Sequence, residues 1–185
     1  MVPIDYMTFI HTKKRTNKNS NEYTYAYLVQ NKWRKKGPKQ TVKQYLGRVY
    51  TYQRKKDKNL RDFLNIKHIK EYFKENKTKN IILDIIRLEL FKHNFKQIKE
   101  NIWNNQNFFV DLENLKVYNA NKKKICLAIN EGILTDYTLN KIINSKHKKD
   151  NEIETGKVLA NKFISAGISI EKEIFINLVQ KIQNQ

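Results

Sequence analysis

Tyr23-Thr24-Tyr25-Ala26-Tyr27-Leu28-Val29-Gln30, followed beyond a basic turn by Thr41-Val42-Lys43-Gln44-Tyr45-Leu46-Gly47, is the stretch from which the fold reads outward. In its first half Tyr23, Tyr25, Tyr27 and Val29 fall on one side, and Thr24, Ala26, Leu28 and Gln30 on the other. That is the period of two a strand imposes on its side chains. Lys35-Lys36-Gly37-Pro38-Lys39 interrupts the alternation with a turn-forming Gly-Pro pair. Val42, Gln44 and Leu46 then alternate against Thr41, Lys43 and Tyr45. The two segments predict an antiparallel β-hairpin with a basic tip. Gly47 closes the second strand, and Arg48-Val49-Tyr50-Thr51-Tyr52 either extends it or opens a third.

Upstream, residues 8–11 form a short strand, and the Asn-, Lys- and Ser-rich residues 13–22, without periodicity, read as a mobile loop. Met1 to Tyr6 reads as an upstream extension, because Met7-Thr8-Phe9-Ile10 is also a natural start. Downstream, Arg54 opens a charged connector, after which Leu60, Phe63, Leu64, Ile69, Tyr72 and Phe73 recur at helical spacing behind an Asn59 cap, with Asp62 in the first turn. A longer helix is expected from Ile82 through Ile85, Ile86, Phe91, Phe95 and Ile98 to Ile102, a broad apolar face free of Gly and Pro. Residues 108–118 and the alternating Ile125, Leu127 and Ile129, joined across residues 119–122, read as a second hairpin. Asn130-Glu131-Gly132 is a turn, and Thr135 caps a helix over residues 136–144. A charged loop at residues 145–151 leads to two last helices. Val158, Leu159 and Phe163 mark the first, ending near Gly167, and Ser169 caps the second, whose Ile170, Ile174, Leu178 and Ile182 form a core face. The fold class is therefore α+β, a basic N-terminal hairpin module over residues 1–58 and a mainly helical body with a second hairpin over residues 59–185.

Charge gives this architecture its functional direction. The 185 residues carry 37 Lys and Arg against 18 Asp and Glu, a formal net charge of +19. Residues 1–60 hold 15 of those cations and 3 of the acids, so the first third alone has a net charge of +12. A field of that size attracts polyanions, and nucleic acid is the usual partner because neutralised phosphates release condensed counterions. A lysine bias of AT-rich coding would enrich Asn and Ile in the first third as well, whereas the local excess there is in cations and Tyr. Lys32, Arg34, Lys35, Lys36, Lys39 and Lys43 crowd one turn, and a two-stranded ribbon fits the major groove of B-DNA. Because Lys outnumbers Arg, such contacts position a backbone more than they specify a sequence. Gln40, Arg48 and Arg54 complete the candidate contact set. Trp33 and Tyr45 are the first choices for stacking on unpaired bases. Tyr23, Tyr25, Tyr27, Tyr50 and Tyr52 are expected to be mostly structural, since tyrosines alternating on a strand usually pair across a sheet or cover a helix.

Tyr25-Ala26-Tyr27-Leu28-Val29-Gln30-Asn31, then Arg34, Gly37, Lys39 and Gln40, then Tyr45-Leu46-Gly47, resembles the N-terminal ribbon of a group of DDE-type insertion-sequence transposases. The resemblance covers about a quarter of the chain. It implies DNA contact at Arg34, Lys39, Gln40 and Lys43, in a binding module without the three-carboxylate, RNase H-like domain that performs transposition.

Other chemistry has weaker support. Asp84 and Glu89 on a helix with Asp111 and Glu113 on a strand are the best acidic set for a metal-dependent nuclease, yet Lys116 does not stand at the Glu-x-Lys spacing of restriction-type nucleases, so these read as surface carboxylates. His11, His68, His93 and His147 lack metal-ligand spacing, the five glycines form no phosphate loop, and no nucleophile elbow is visible. Cys126, the single cysteine, lies in an apolar run and reads as a buried hydrophobe. No catalytic residue, metal or cofactor is assigned. Without a membrane-length apolar run or a signal-like start, a cytoplasmic, non-enzymatic nucleic-acid-binding protein is expected, DNA favoured over RNA, with no membrane association and with the helical body free to hold a protein partner or form a homodimer. The alternatives are an accessory component of a ribonucleoprotein particle and, behind it, the small nuclease.

Overall fold

The computed structural model describes residues 8–34, 37–145 and 151–184, and for Lys32, Trp33, Arg34 and Pro38 it describes the backbone alone. The choice between Met1 and Met7 as the start, the tip residues Lys35 and Lys36, His147 and most of the charged loop at residues 145–151 lie outside the described residues. Three long strands, β1 (Thr8–Thr16), β2 (Glu22–Arg34) and β3 (Gly37–Tyr52), form an antiparallel ribbon. Helices α1 (Leu60–Leu64), α2 (Ile69–Glu75) and α3 (Thr78–Lys92) follow, and then β4 (Lys96–Lys99), β5 (Ile102–Asn105), β6 (Phe108–Asp111) and β7 (Lys116–Asn119) meander as a separate four-stranded sheet. The chain then returns to the first sheet. β8 (Ile125–Ile129) runs parallel to β3, and β9 (Gly132–Leu134) adds an antiparallel edge, giving the order β1-β2-β3-β8-β9. Helices α4 (Asp136–Ile143), α5 (Glu152–Ala166) and α6 (Lys172–Gln183) complete the fold.

The α+β class holds, but its arrangement differs from a hairpin followed by a helical body, because strands dominate the N-terminal half. Residues 13–16, expected to be mobile loop, continue β1, with Lys13, Lys14, Arg15 and Thr16 opposite Tyr25, Thr24, Tyr23 and Glu22. Asn17 makes the turn that allows this: its Oδ1 accepts from Asn19 N and Asn21 N, each at 2.9 Å, an Asx-type closure. The expected second hairpin also divides. β6 pairs with β7 instead, while β8 keeps a single bridge, Tyr118 to Lys124, before leaving for β3.

Helix ends account for the other departures. The helix expected to reach Ile102 stops at Lys92, since Asn94 takes a left-handed conformation (φ 63°) that lets its N–H reach Phe91 O and Phe95 N reach Leu90 O. That paired closure satisfies the last carbonyls and turns the fully buried Phe95 into the core. Residues 60–75 break into two helices in the same way at Asn65 (φ 54°), with Ile66 N bonded to Arg61 O. The Asn59 cap holds, its side chain accepting from Asp62 N. So does the Thr135 cap, where Thr135 and Thr138 form a reciprocal box. Ser169 is not a cap: α6 starts three residues later, and Ser169 N instead reaches a buried carboxylate.

Two apolar cores result. The larger joins α1–α6, the second sheet and one face of β8, and Tyr50 and Tyr52 of β3 pack onto it, with ring centroids 4.4 Å from Phe108 and 5.3 Å from Phe95 respectively. The smaller lies on the opposite face of the first sheet, where Ala26, Leu28, Leu46 and Cys126 are buried beneath Ile10, Val49, Ile133 and Tyr137. Burial pushes the Cys126 thiol up to about 12, so it stays an apolar-like SH group. β1 and β9, the edges of this curled sheet, line opposite parts of one cleft of about 560 Å³.

A buried carboxylate fastens the larger core. Glu89 Oε1 lies 3.1 Å from His93 Nε2 and accepts from Asn130 Nδ2 at 2.7 Å, while Oε2 accepts from Ser169 N at 3.2 Å. Asn130 Nδ2 also donates to Gly167 O at 2.7 Å. One anion thereby links α3, the β8–β9 turn and the α5–α6 connection. Burial works to raise its pKa, but the bonds from His93 and Asn130 and the charge of Lys92 outweigh that, holding the carboxyl below its ordinary value.

Two stability measurements check this account. A methyl on Gly132 would lie 2.1 Å from Gly167 N and 2.2 Å from Ile164 O, whereas one on Gly156, inside α5, meets nothing nearer than Val179 Cγ2 at 3.9 Å. In urea unfolding Gly132→Ala is expected to lose about 3 kcal/mol and Gly156→Ala to gain about 0.5–1 kcal/mol; equal effects would contradict the close approach of β9 to the end of α5. Glu89→Gln is expected to cost about 2 kcal/mol at neutral pH by weakening charge-assisted bonds. Since the folded-state pKa of Glu89 is lowered, its contribution is complete above the ordinary 4.5 and is lost as pH falls through the folded value. The gap between parent and Gln variant should therefore narrow from about pH 7 to about pH 3, and a constant gap would show that the carboxylate's charge contributes nothing.

Candidate nucleic-acid interface

The ribbon's two faces follow from its register. Tyr23, Tyr25 and Tyr27 on β2 stand opposite Arg15, Lys13 and His11 on β1, and Tyr25 and Tyr27 stand opposite Arg48 and Tyr45 on β3, so these side chains share one face. β3 carries two extra residues relative to β2, one between Gly47 and Tyr45 and one between Gln44 and Val42, at Leu46 and Lys43. Such bulges bend a strand and increase its twist. Tyr45 sits among the β2 rings, 6.2 Å from Tyr25 and 5.5 Å from Tyr27 between centroids, and remains 52% exposed. Burial, then the neighbouring Tyr25 and Tyr27 phenols, raise the pKa of its hydroxyl, which stays neutral. The Arg48 guanidinium lies 4.0 Å from the Tyr23 ring centroid and 4.9 Å from that of Tyr50, and Lys13 Nζ lies 6.0 Å from that of Tyr27, within cation–π range.

The residues singled out from sequence separate into groups. Lys39, Gln40 and Lys43 are exposed near the ribbon's tip. Lys32, Trp33 and Arg34 end β2, and the register sets Lys32 directly across from Lys39. Arg48 is half-buried between tyrosines instead of standing free at the surface. Arg54 lies beyond the ribbon and is held by Asp57 Oδ1 at 2.5 Å and Lys56 O at 3.4 Å. The tyrosines divide at Arg48: Tyr50 and Tyr52 pack on the larger core, while Tyr23, Tyr25, Tyr27 and Tyr45 belong to neither core.

Lys13 and Arg15 join this surface although sequence patterning assigned them to a loop. Both are exposed, and among the described residues neither is ion-paired; the ribbon's single acid, Glu22, faces Lys14 at 3.5 Å. The available signal was the length of β2, whose N-terminal tyrosines require a partner strand, but no apolar alternation marks residues 12–16.

The acidic set does not converge. Asp84 accepts from Tyr72 Oη at 2.6 Å and pairs with Arg87 at 2.7 Å. Glu89 is the buried fastener. Asp111 closes its own turn by accepting from Glu113 N, Asn114 N and Asn114 Nδ2, and Glu113 is exposed. The surface reading thus fits Glu113, whereas Glu89 and Asp111 are buried structural groups and Asp84 is partly buried. Among the described residues no group of three or more His, Cys, Asp or Glu side chains could hold a metal ion, and no helix is long and apolar enough to cross a membrane. Comparison of the chain with protein-family models, with curated proteins and with solved structures gave no match to any of the three.

Proposed function

We propose that this chain is a non-enzymatic nucleic-acid-binding protein whose N-terminal ribbon holds the phosphate backbone. The observation that carries this reading is the charge state of the ribbon surface. Lys13, Arg15, Lys39 and Lys43 are exposed and have no carboxylate partner among the described residues, while the ribbon's only acid is engaged with Lys14. Unpaired surface cations repel one another and lower the stability of an isolated fold. A polyanion turns that repulsion into binding energy through counterion release. β2 and β3, 13 and 16 residues long, spread these cations along an extended ribbon, with Lys13 and Arg15 on the tyrosine face and Lys39 on the other, rather than gathering them in a pocket, which suits a linear polymer.

Fluorescence anisotropy with a short labelled DNA, titrated at several salt concentrations, tests the reading. Binding should weaken steeply with salt, with a slope of about 0.9 per phosphate contacted in duplex DNA. Lys39→Glu/Lys43→Glu should bind at least tenfold more weakly and shallow that slope by about 2. Parent-like affinity in the variant would sink the proposal.

A further inference from the structure

We propose that the tyrosine face of the ribbon is a stacking platform for the unpaired bases of a single-stranded nucleic acid. This rests on the nucleic-acid reading above and adds a substrate class to it. Tyr23, Tyr25, Tyr27 and Tyr45 form a contiguous cluster on one face of β2 and β3 that neither apolar core absorbs. Rings that served only to cover the body would lie over it, as Tyr50 and Tyr52 do. Interplanar angles of 44° for Tyr25 with Tyr45 and 54° for Tyr27 with Tyr45 leave the rings tilted, so neither neighbour covers the flat of the Tyr45 ring. Val42, 51% exposed, extends the same apolar surface toward the tip.

Charge on this face selects the partner. Lys13, Arg15 and Arg48 border the rings, and the ribbon's one acid, Glu22, lies opposite Thr16 on the other face of the sheet. Cations beside rings that are half-buried at Tyr23, Tyr25 and Tyr27 and exposed at Tyr45, with no carboxylate among them, match a ligand carrying both π-faces and phosphates. An acidic peptide would satisfy the cations but offer no π-surface to the rings.

Spacing distinguishes single strand from duplex. Alternate residues on a strand recur about every 6.7 Å, roughly twice the 3.4 Å rise of stacked bases in one duplex strand. Bases engaging successive tyrosines must be separated from one another, and a paired, stacked base has both faces covered. The rings can therefore be used only by bases already unpaired and splayed.

The test compares three probes on the whole chain: a labelled oligothymidylate of about 20 nucleotides, a strand of the same length made of abasic sites, and the corresponding duplex. The thymidylate and abasic strands have the same phosphates and differ in the bases. The parent is expected to bind oligothymidylate at least tenfold more tightly than the abasic strand and more tightly than the duplex. Tyr27→Leu/Tyr45→Leu should remove most of that preference while leaving affinity for the abasic strand within about twofold, since the rings engage bases and not phosphates. Equal binding of the thymidylate and abasic strands, or tighter binding of the duplex, would overturn the platform and leave phosphate holding intact. If no probe binds, both proposals fall. A thermal melt establishes whether the double variant folds; should it not, Tyr45→Leu alone, at a half-exposed position, and the parent's preference between the two single strands decide the matter.

Discussion

β3 belongs to two structures at once, and Gly47 is where it passes from one to the other. From Gly37 to Arg48 the strand pairs antiparallel with β2, and from Arg48 to Tyr52 it pairs parallel with β8. At Gly47 (φ 136°) a Cβ would lie 2.9 Å from both Ile125 Cα and Lys124 O. Only a residue without a side chain allows β8 to approach there and also accommodates that backbone conformation. The bulge beside it bends the ribbon as it leaves the body. The same face of one strand therefore carries Tyr50 and Tyr52 into a core and Tyr45 into solvent.

The body below this junction is organised by polar closure as much as by apolar burial. Glu89 would be costly as an isolated buried charge. It is tolerated because three donors converge on it, His93 from the end of its own helix and Asn130 and Ser169 from distant parts of the chain, and the latter two hold backbone that must approach closely. Asn130 is left-handed (φ 46°), and its amide spans Glu89 and Gly167 O. Gly167 (φ 75°) ends α5 where a Cβ would lie 2.1 Å from Ile129 O. Polar and steric requirements thus coincide at one point, so the sheet, α3 and the C-terminal helices are fixed relative to one another. A ribbon anchored to such a body has a rigid base.

Much of the candidate surface was legible in the chain. Alternation from Tyr23 to Gln30 and from Thr41 to Leu46, broken by Gly37-Pro38, is enough to specify a hairpin, and the cations around that break mark its charged end. The Asn59 and Thr135 caps were equally plain, because a cap depends on residues within one turn. Lys13 and Arg15 were not legible as strand, since their extended conformation comes from pairing with β2 and not from their own side chains. Arg48 looked like another free cation, and only the fold shows it lying against Tyr23 and Tyr50.

Local chemistry written in the sequence thus determined the α+β class, the hairpin, most of the helices and the uneven charge. Tertiary structure alone decided that β8 leaves its neighbour β7 to lie parallel to β3, where Arg48 to Tyr52 pair with Ile125 to Ile129, residues 77 positions later in the chain. It also ended α3 at Lys92, where the left-handed Asn94 turns Phe95 into the core beside Tyr52. The physical reason is common to these cases. Periodicity reports which face of an element is apolar, but not which distant surface covers that face, and here the covering surface separates the tyrosines of the core from those left on the outside.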